Sequence, residues 1–142
     1  MVKADASTTY KQTLDRYYEA DTLDVASGTP LEPGTGEKIF TIPDGETWCI
    51  EEFGGSTSVD QCEVELLFSS DGGSTWGHPC PLCDSSKIRC IHLSSGVPGS
   101  VKFLNVMPLT GSGTNIKLKI LCKNWNQTEQ AEIEAWINGW VQ

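Results

Sequence analysis

Asn115-Ile116-Lys117-Leu118-Lys119-Ile120-Leu121-Cys122-Lys123 is the stretch that decides the fold class. Ile116, Leu118, Ile120 and Cys122 recur at every second position, and Lys117, Lys119 and Lys123 fill positions between them. A period of two puts successive side chains on opposite faces of an extended chain, so this is a strand with one apolar and one charged face. Gln61–Ser69 repeats the pattern, with Cys62, Val64, Leu66 and Phe68 against Glu63 and Glu65. So does Gln130–Val141, where Ile133, Ala135, Ile137 and Val141 share one face and Glu134, Trp136, Asn138 and Trp140 the other.

Shorter strands are expected at Lys38–Ile42, Glu46–Phe53, Lys87–Leu93 and Ser100–Met107, the last with Val101, Phe103 and Met107 on one side. Pro43-Asp44-Gly45 separates the first two with turn chemistry: proline presets φ and glycine accepts positive φ. Seven or eight strands with turns between them predict an all-β domain over residues 38–142. The expected architecture is an antiparallel β-sandwich or a jelly roll.

Residues 1–37 read differently. Tyr10, Leu14 and Tyr17 stand at helical spacing within Ser7–Ala20, and Ser7 or Thr8 can cap a short helix there. Asp21–Glu37 passes through Gly28, Pro30, Pro33, Gly34 and Gly36 and reads as a linker. Residues 1–37 are therefore expected to be a partly helical arm and linker. One stripe of three contacts does not hold an isolated helix, so the arm is either a floppy tail or is pinned by a neighbouring subunit, the simplest candidate. Tyr10, Leu14 and Tyr17 are interface candidates for that reason. Trp136 and Trp140 join them if their face of the last strand is an outer one; otherwise they cover a sheet end or pack beneath the arm.

A chain of 142 residues suits one domain. No apolar run approaches the length of a membrane span, so a soluble protein without a membrane partner is expected. The net charge of −9 and a pI near 4.5 argue against nucleic acid, whose phosphates call for a basic surface. Catalytic constellations are missing: there are two histidines, and no Ser-His-Asp order, phosphate loop or His-Glu-x-x-His run. Neither an enzyme nor a cofactor is expected. Asn126-Gln127-Thr128 fits a glycosylation sequon, which matters only on a secretory route.

Six cysteines sit behind a start, Met1 to Ala20, that lacks the apolar core of a signal peptide. Disulfides are rare in reducing compartments, so these thiols bind metal, stay reduced, or oxidise somewhere reached without secretion. Cys80-Pro81-Leu82-Cys83 with Cys90 and His78, and His92 nearby, can be written as a zinc set, but no second Cys-x-x-Cys completes it. A thioredoxin-type redox pair needs a helix N-terminus that the strand pattern does not offer. Cys62 and Cys122 have core parity and can bridge two sheets or remain buried thiols. Cys49, between Trp48 and Ile50, faces the other way from them. Six cysteines allow fifteen pairings, and the sequence does not choose among them. Disulfides among Cys49, Cys62, Cys80, Cys83, Cys90 and Cys122, some of them between chains, are the expectation.

Ser69-Ser70-Asp71-Gly72-Gly73-Ser74-Thr75-Trp76 resembles the Asp-box, Ser-x-Asp-x-Gly-x-Thr-Trp, in every motif position. The resemblance implies a structural hairpin tip: Ser69, Asp71, Gly73, Thr75 and Trp76 form the turn, the carboxylate accepting backbone N–H groups and the indole anchoring the tip. It occurs once, in eight residues, and implies nothing enzymatic.

Ile39-Phe40-Thr41-Ile42-Pro43-Asp44-Gly45-Glu46-Thr47-Trp48-Cys49-Ile50 is similar to the opening of small β-sandwich virion proteins of tailed bacteriophages. A strand ending in the Asp-Gly-Gly-x-Thr-Trp hairpin and a Trp-rich last strand, Ala135–Val141, also look like this group. The likeness covers residues 38–142 in style. It implies a head-decoration, minor capsid or neck and tail accessory protein that contacts major capsid or neck and tail subunits, as a homo-oligomer. Such a protein assembles in the host cytoplasm and resides in the virion. Its thiols can oxidise after lysis without a signal peptide. Two other readings remain open: a carbohydrate-binding module, which the jelly-roll option and five tryptophans allow, and a small zinc-binding adaptor.

Overall fold

The computed structural model describes residues 15–77 and 91–142, and describes the backbone alone at 15–19 and 104–107. Eight strands run β1 Asp15–Val25, β2 Gly34–Thr41, β3 Thr47–Thr57, β4 Cys62–Ser69, β5 Ile91–Leu93, β6 Gly99–Thr110, β7 Lys117–Asn124 and β8 Ala131–Val141. They form two four-stranded antiparallel sheets, ordered β1-β8-β3-β6 and β2-β7-β4-β5. Every connection except β4 to β5 passes from one sheet to the other. That is the winding order of an eight-stranded jelly roll. No helix occurs among the described residues.

Alternation in sequence becomes alternation in burial. Along β7, Leu118, Ile120, Cys122 and Asn124 are buried while Lys117, Lys119, Leu121 and Lys123 are not. Along β8, Ala131, Ile133, Ala135 and Ile137 are buried and Glu132 and Glu134 are exposed. Val25, Ile50, Phe53, Ile133 and Ile137 from the first sheet form one apolar cluster with Val64, Leu66, Leu118, Ile120 and Cys122 from the second. Full burial of each aliphatic side chain is worth about 1.5–3 kcal/mol, so this layer is the main source of cohesion between the sheets.

Ends of strands are set by turn chemistry. Gly45 takes φ +80°, and Glu46 donates its N–H to the Pro43 carbonyl at 3.0 Å. Asp44 Oδ1 accepts the Gly113 N–H at 2.8 Å, which joins the β2–β3 turn to the β6–β7 turn. A bulge between Ile50 and Glu52 inserts Glu51 into β3, and Glu51 then pairs with Lys102 at 3.5 Å.

The helix expected over Ser7–Ala20 is corrected where it is described: Asp15–Ala20 is strand, the first half of β1. Eleven paired positions with β8, from Asp15 opposite Val141 to Val25 opposite Ala131, outweigh a weak local helical spacing. The Asp21–Glu37 stretch expected as a linker supplies the rest of β1 and the start of β2, and only Ala26–Pro33 is a connection. β2 runs across the expected division at residues 37 and 38. Tyr17 stands opposite Gly139 in the β1–β8 register; Tyr10 and Leu14 lie outside the described residues.

Candidate functional site

Two outer faces of the sandwich differ in chemistry. On the β2-β7-β4-β5 sheet, cross-strand polar pairs dominate: the ion pairs of Lys119 with Glu37 at 3.1 Å and Lys123 with Glu65 at 3.2 Å, and the contact of His92 Nδ1 with Glu63 at 3.2 Å. Such half-exposed pairs are worth about 0–1 kcal/mol each and describe a solvated face. The β1-β8-β3-β6 sheet instead carries Trp136 and Trp140 outward, half-buried, with Asn138 between them. Trp136 lies opposite Ala20 on one side and Gly54 on the other, and Gly54 faces Ser100. A Cβ at Gly54 would come within 2.8 Å of the Trp136 ring, so the indole lies low over a row of small residues. Cys49, 4% exposed, stands between Trp140 and Pro108 in the register of the same face.

The tip between β4 and β5 closes on Asp71. Its Oδ1 accepts the Ser69 hydroxyl at 2.7 Å and the Thr75 N–H at 2.9 Å, and Oδ2 accepts the Thr75 hydroxyl at 2.6 Å. Gly73 donates its N–H to Ser69 Oγ at 2.9 Å. Gly72 and Gly73 take φ +75° and +97°, a region that favours glycine. The Thr75 hydroxyl first, then the Thr75 N–H and the Ser69 hydroxyl, hold the Asp71 carboxyl far below the usual carboxylate range. Lys119 Nζ sits 4.3 Å from the centre of the Trp76 ring, a cation–π contact that ties the tip to β7.

Cys49, Cys62 and Cys122 are free thiols, so no disulfide joins these three within the chain. Cys62 and Cys122 do not bridge the sheets because they belong to the same one: Cys122 pairs with Val64, and Cys62 with Asn124. Burial, then the neighbouring Cys62 and Asp21, pushes the Cys122 thiol up to about 12. Burial also raises Cys62 and Cys49. Thiols with raised pKa are poor nucleophiles and poor metal ligands. Cys80, Cys83, Cys90 and His78 lie outside the described residues, and His92, the remaining member of the zinc set, is engaged by Glu63. Among the described residues no three His, Cys, Asp or Glu side chains gather as a metal site.

A second feature was not foreseen in the sequence. Thr29, Pro30, Gln61, Glu63, His92, Trp125 and Gln127 line an open cleft of about 440 Å³ where the Ala26–Pro33 connection meets the turn after β7. Asn124, fully buried, organises it. Its Nδ2 donates to the carbonyls of Val25, Ala26 and Glu129 at 3.2, 3.2 and 2.9 Å, and its Oδ1 accepts the Asn126 N–H at 2.9 Å. Asn126 Oδ1 in turn accepts N–H groups of Thr128 and Glu129 at 3.0 and 2.9 Å. The opposite wall is clamped when Gly28 donates to the Asn126 carbonyl at 2.7 Å, and Thr29 Oγ1 closes its own turn by accepting the Glu32 N–H at 3.1 Å. The backbone N–H of Trp125 donates to the Gln61 carbonyl at 2.9 Å. Gln61 has φ +66°, the one positive φ outside glycine among the described residues. The signal that could have found this cleft is Asn124-Trp125-Asn126-Gln127, a tryptophan set among turn-forming amides just where a strand ends.

No protein-family model matches the sequence, and no curated protein matches it. Among solved structures, it is similar to a chain in a structure of infectious bursal disease virus, Gt strain, with a TM-score of 0.45 and 16% identity over 91% of this chain. A chain of the Gx strain gives a TM-score of 0.38 and 14% identity over 89% of this chain. This chain spans about a third of those chains, 32% and 30% respectively.

Proposed function

We propose that the protein is a non-enzymatic structural component of a virion, a decoration, cement or neck and tail accessory protein of a tailed bacteriophage. It docks on neighbouring capsid or tail subunits and on copies of itself through its N-terminal arm and the outer face of the β1-β8-β3-β6 sheet. The jelly-roll winding alone does not decide this, because viral coat domains and lectins share it. The observation that carries the reading is the pair Trp136 and Trp140 on the outer face of β8, both half-buried, with Trp136 lying over Gly54 between Ala20 and Ser100. Aromatic side chains are enriched at the cores of protein interfaces, and the opposite sheet covers its outer face with ion pairs instead. The resemblance of Ile39–Ile50 and Ala135–Val141 to tailed-phage virion proteins gives the partner class. The net charge of −9 favours a basic partner surface and disfavours nucleic acid. In this reading Tyr10, Leu14 and Tyr17 belong to the arm, and Cys80, Cys83 and Cys90 are the residues left to form links after lysis.

The test is occupancy. Peptides of this chain should be found by mass spectrometry at stoichiometric level in purified particles of the virus that encodes it. A Trp136→Ser/Trp140→Ser double variant, folded by its far-ultraviolet spectrum, should fail to sediment with those particles. Absence of the chain from purified particles overturns the proposal.

A further inference from the structure

We propose that the cleft around Trp125 binds a neutral saccharide, which stacks on the indole and is held at its rim by Gln61, Gln127, Glu63 and His92. The cleft belongs to the β2-β7-β4-β5 side of the sandwich, so this inference does not rest on the docking role of Trp136 and Trp140.

Its volume of about 440 Å³ lies within the roughly 300–1,000 Å³ of small-ligand sites. Trp125 is half-buried, which leaves part of a rigid ring to line the opening, and the Asn124 network fixes the chain on which it sits. An aromatic face is electron-rich and attracts the polarised C–H groups of a pyranose face. Around the ring, polar chemistry dominates. Gln61 and Gln127 are exposed amides, and each can both donate and accept, as paired sugar hydroxyls require. Glu63 and His92 face each other at 3.2 Å, and the carboxylate keeps further lone pairs for hydroxyl donors.

Charge selects the ligand class. Among the described residues the lining contains no Lys or Arg, and the chain carries −9, so the charge balance favours a neutral ligand over a phosphate, sulfate or uronate. A quaternary ammonium would call for a cage of several electron-rich rings, and among the described residues Trp125 is the one Trp, Tyr or Phe in the lining. What remains is a ligand with one apolar face and many neutral hydroxyls. Backbone geometry agrees with a built site. A left-handed glutamine costs about 1–3 kcal/mol and persists only where its surroundings enforce it. Here the Gln61 carbonyl accepts the Trp125 backbone N–H, so the strained residue is tied to the stretch of chain that carries the indole, whose own Nε1–H is buried without a partner among the described residues.

The full chain, labelled with nitrogen-15, is titrated to millimolar concentration with the hexasaccharides of α-1,4-glucan, β-1,4-glucan, chitin, mannan, galactan and xylan. A hyaluronan hexasaccharide is the charged comparison. At least one neutral oligomer should give saturable shifts at the Trp125 indole and the Gln61 and Gln127 side-chain amides, and hyaluronan none. Trp125→Ala should weaken binding by about tenfold or more. Gln127→Ala, at an exposed position that leaves the fold intact, should weaken it by about threefold. The proposal is overturned if no neutral oligomer gives saturable shifts, if the shifts map to Trp136 and Trp140, or if Gln127→Ala and Trp125→Ala bind like the parent. Sedimentation with virus particles is measured separately, so failure here leaves the docking role standing, and the reverse.

Discussion

Replacing Asn124 by alanine should cost about 3–5 kcal/mol of folding stability. The side chain is fully buried, yet every polar atom on it is used. Two N–H groups serve three carbonyls, those of Val25, Ala26 and Glu129, and Oδ1 receives the Asn126 N–H at 2.9 Å and the Cys62 thiol at 3.6 Å. The four N–H contacts are worth about 1 kcal/mol each at most, since one N–H is shared and the longer pair is weaker. Beyond that, the bond to the Val25 carbonyl is wholly buried, and a stranded buried acceptor adds about 1–3 kcal/mol. Against a typical total of about 5–15 kcal/mol this is a large fraction. For a chain of this size it corresponds to a fall in Tm of about 10–17 °C. Urea unfolding followed by tryptophan fluorescence measures it, with an unchanged m-value showing that the denatured state is not the cause. Asn124→Asp is the discriminating control. It keeps the shape and the acceptor but turns a carboxylate toward three carbonyls, so it should be worse than alanine. If Asn124→Ala costs less than about 1 kcal/mol, or Asn124→Asp matches the parent, the hub does not hold the β1, β7 and β8 ends together as described.

The remaining expectations concern the thiols, the tip and the sheet contacts. Cys122 and Cys62, buried and with raised pKa, should resist a thiol reagent in the native protein at pH 8 and react fully in urea; native reactivity as fast as that of a free thiol contradicts their burial. Asp71 has a folded pKa depressed below its unfolded value, so its contribution is complete above the ordinary carboxylate range and disappears only as pH falls through the depressed value. Amide exchange at Thr75 and Gly73 should therefore stay slow at pH 4 in the parent and be fast at every pH in Asp71→Ala; equal exchange in both proteins argues against the carboxylate as the clamp. Gly139→Ala should destabilise by about 1–3 kcal/mol or more, because a Cβ there runs into the Cys49 carbonyl oxygen of the paired strand. A neutral effect on the urea midpoint would mean that β3 and β8 can part locally.

Strand existence was legible because it depends on a local pattern. The alternation along Asn115–Lys123 and Gln130–Val141 appears almost unchanged as the burial of β7 and β8. The core parity of Cys62 and Cys122 was likewise readable, as was the turn at Pro43-Asp44-Gly45. What failed was local pattern without local stability. Tyr10, Leu14 and Tyr17 carry a helical spacing, but pairing along β8 decides the state of Asp15–Val25, and no short-range signal reports a partner more than a hundred residues away. Cys62 and Cys122 were assigned the right burial and could not be assigned a sheet, because parity fixes a face and not a neighbour.

By itself the sequence determined the period-two faces, the turns, the acidic balance and the hairpin residues from Ser69 to Trp76, all of which rest on neighbours within a few positions. Only the tertiary structure decided which strands lie side by side, which indoles face outward and which thiols stay unpaired. The Trp125 cleft shows the reason most plainly. Its wall residues come from the connection after β1, the start of β4, β5 and the turn after β7, and a jelly roll brings them to one place by winding the chain back and forth between its sheets.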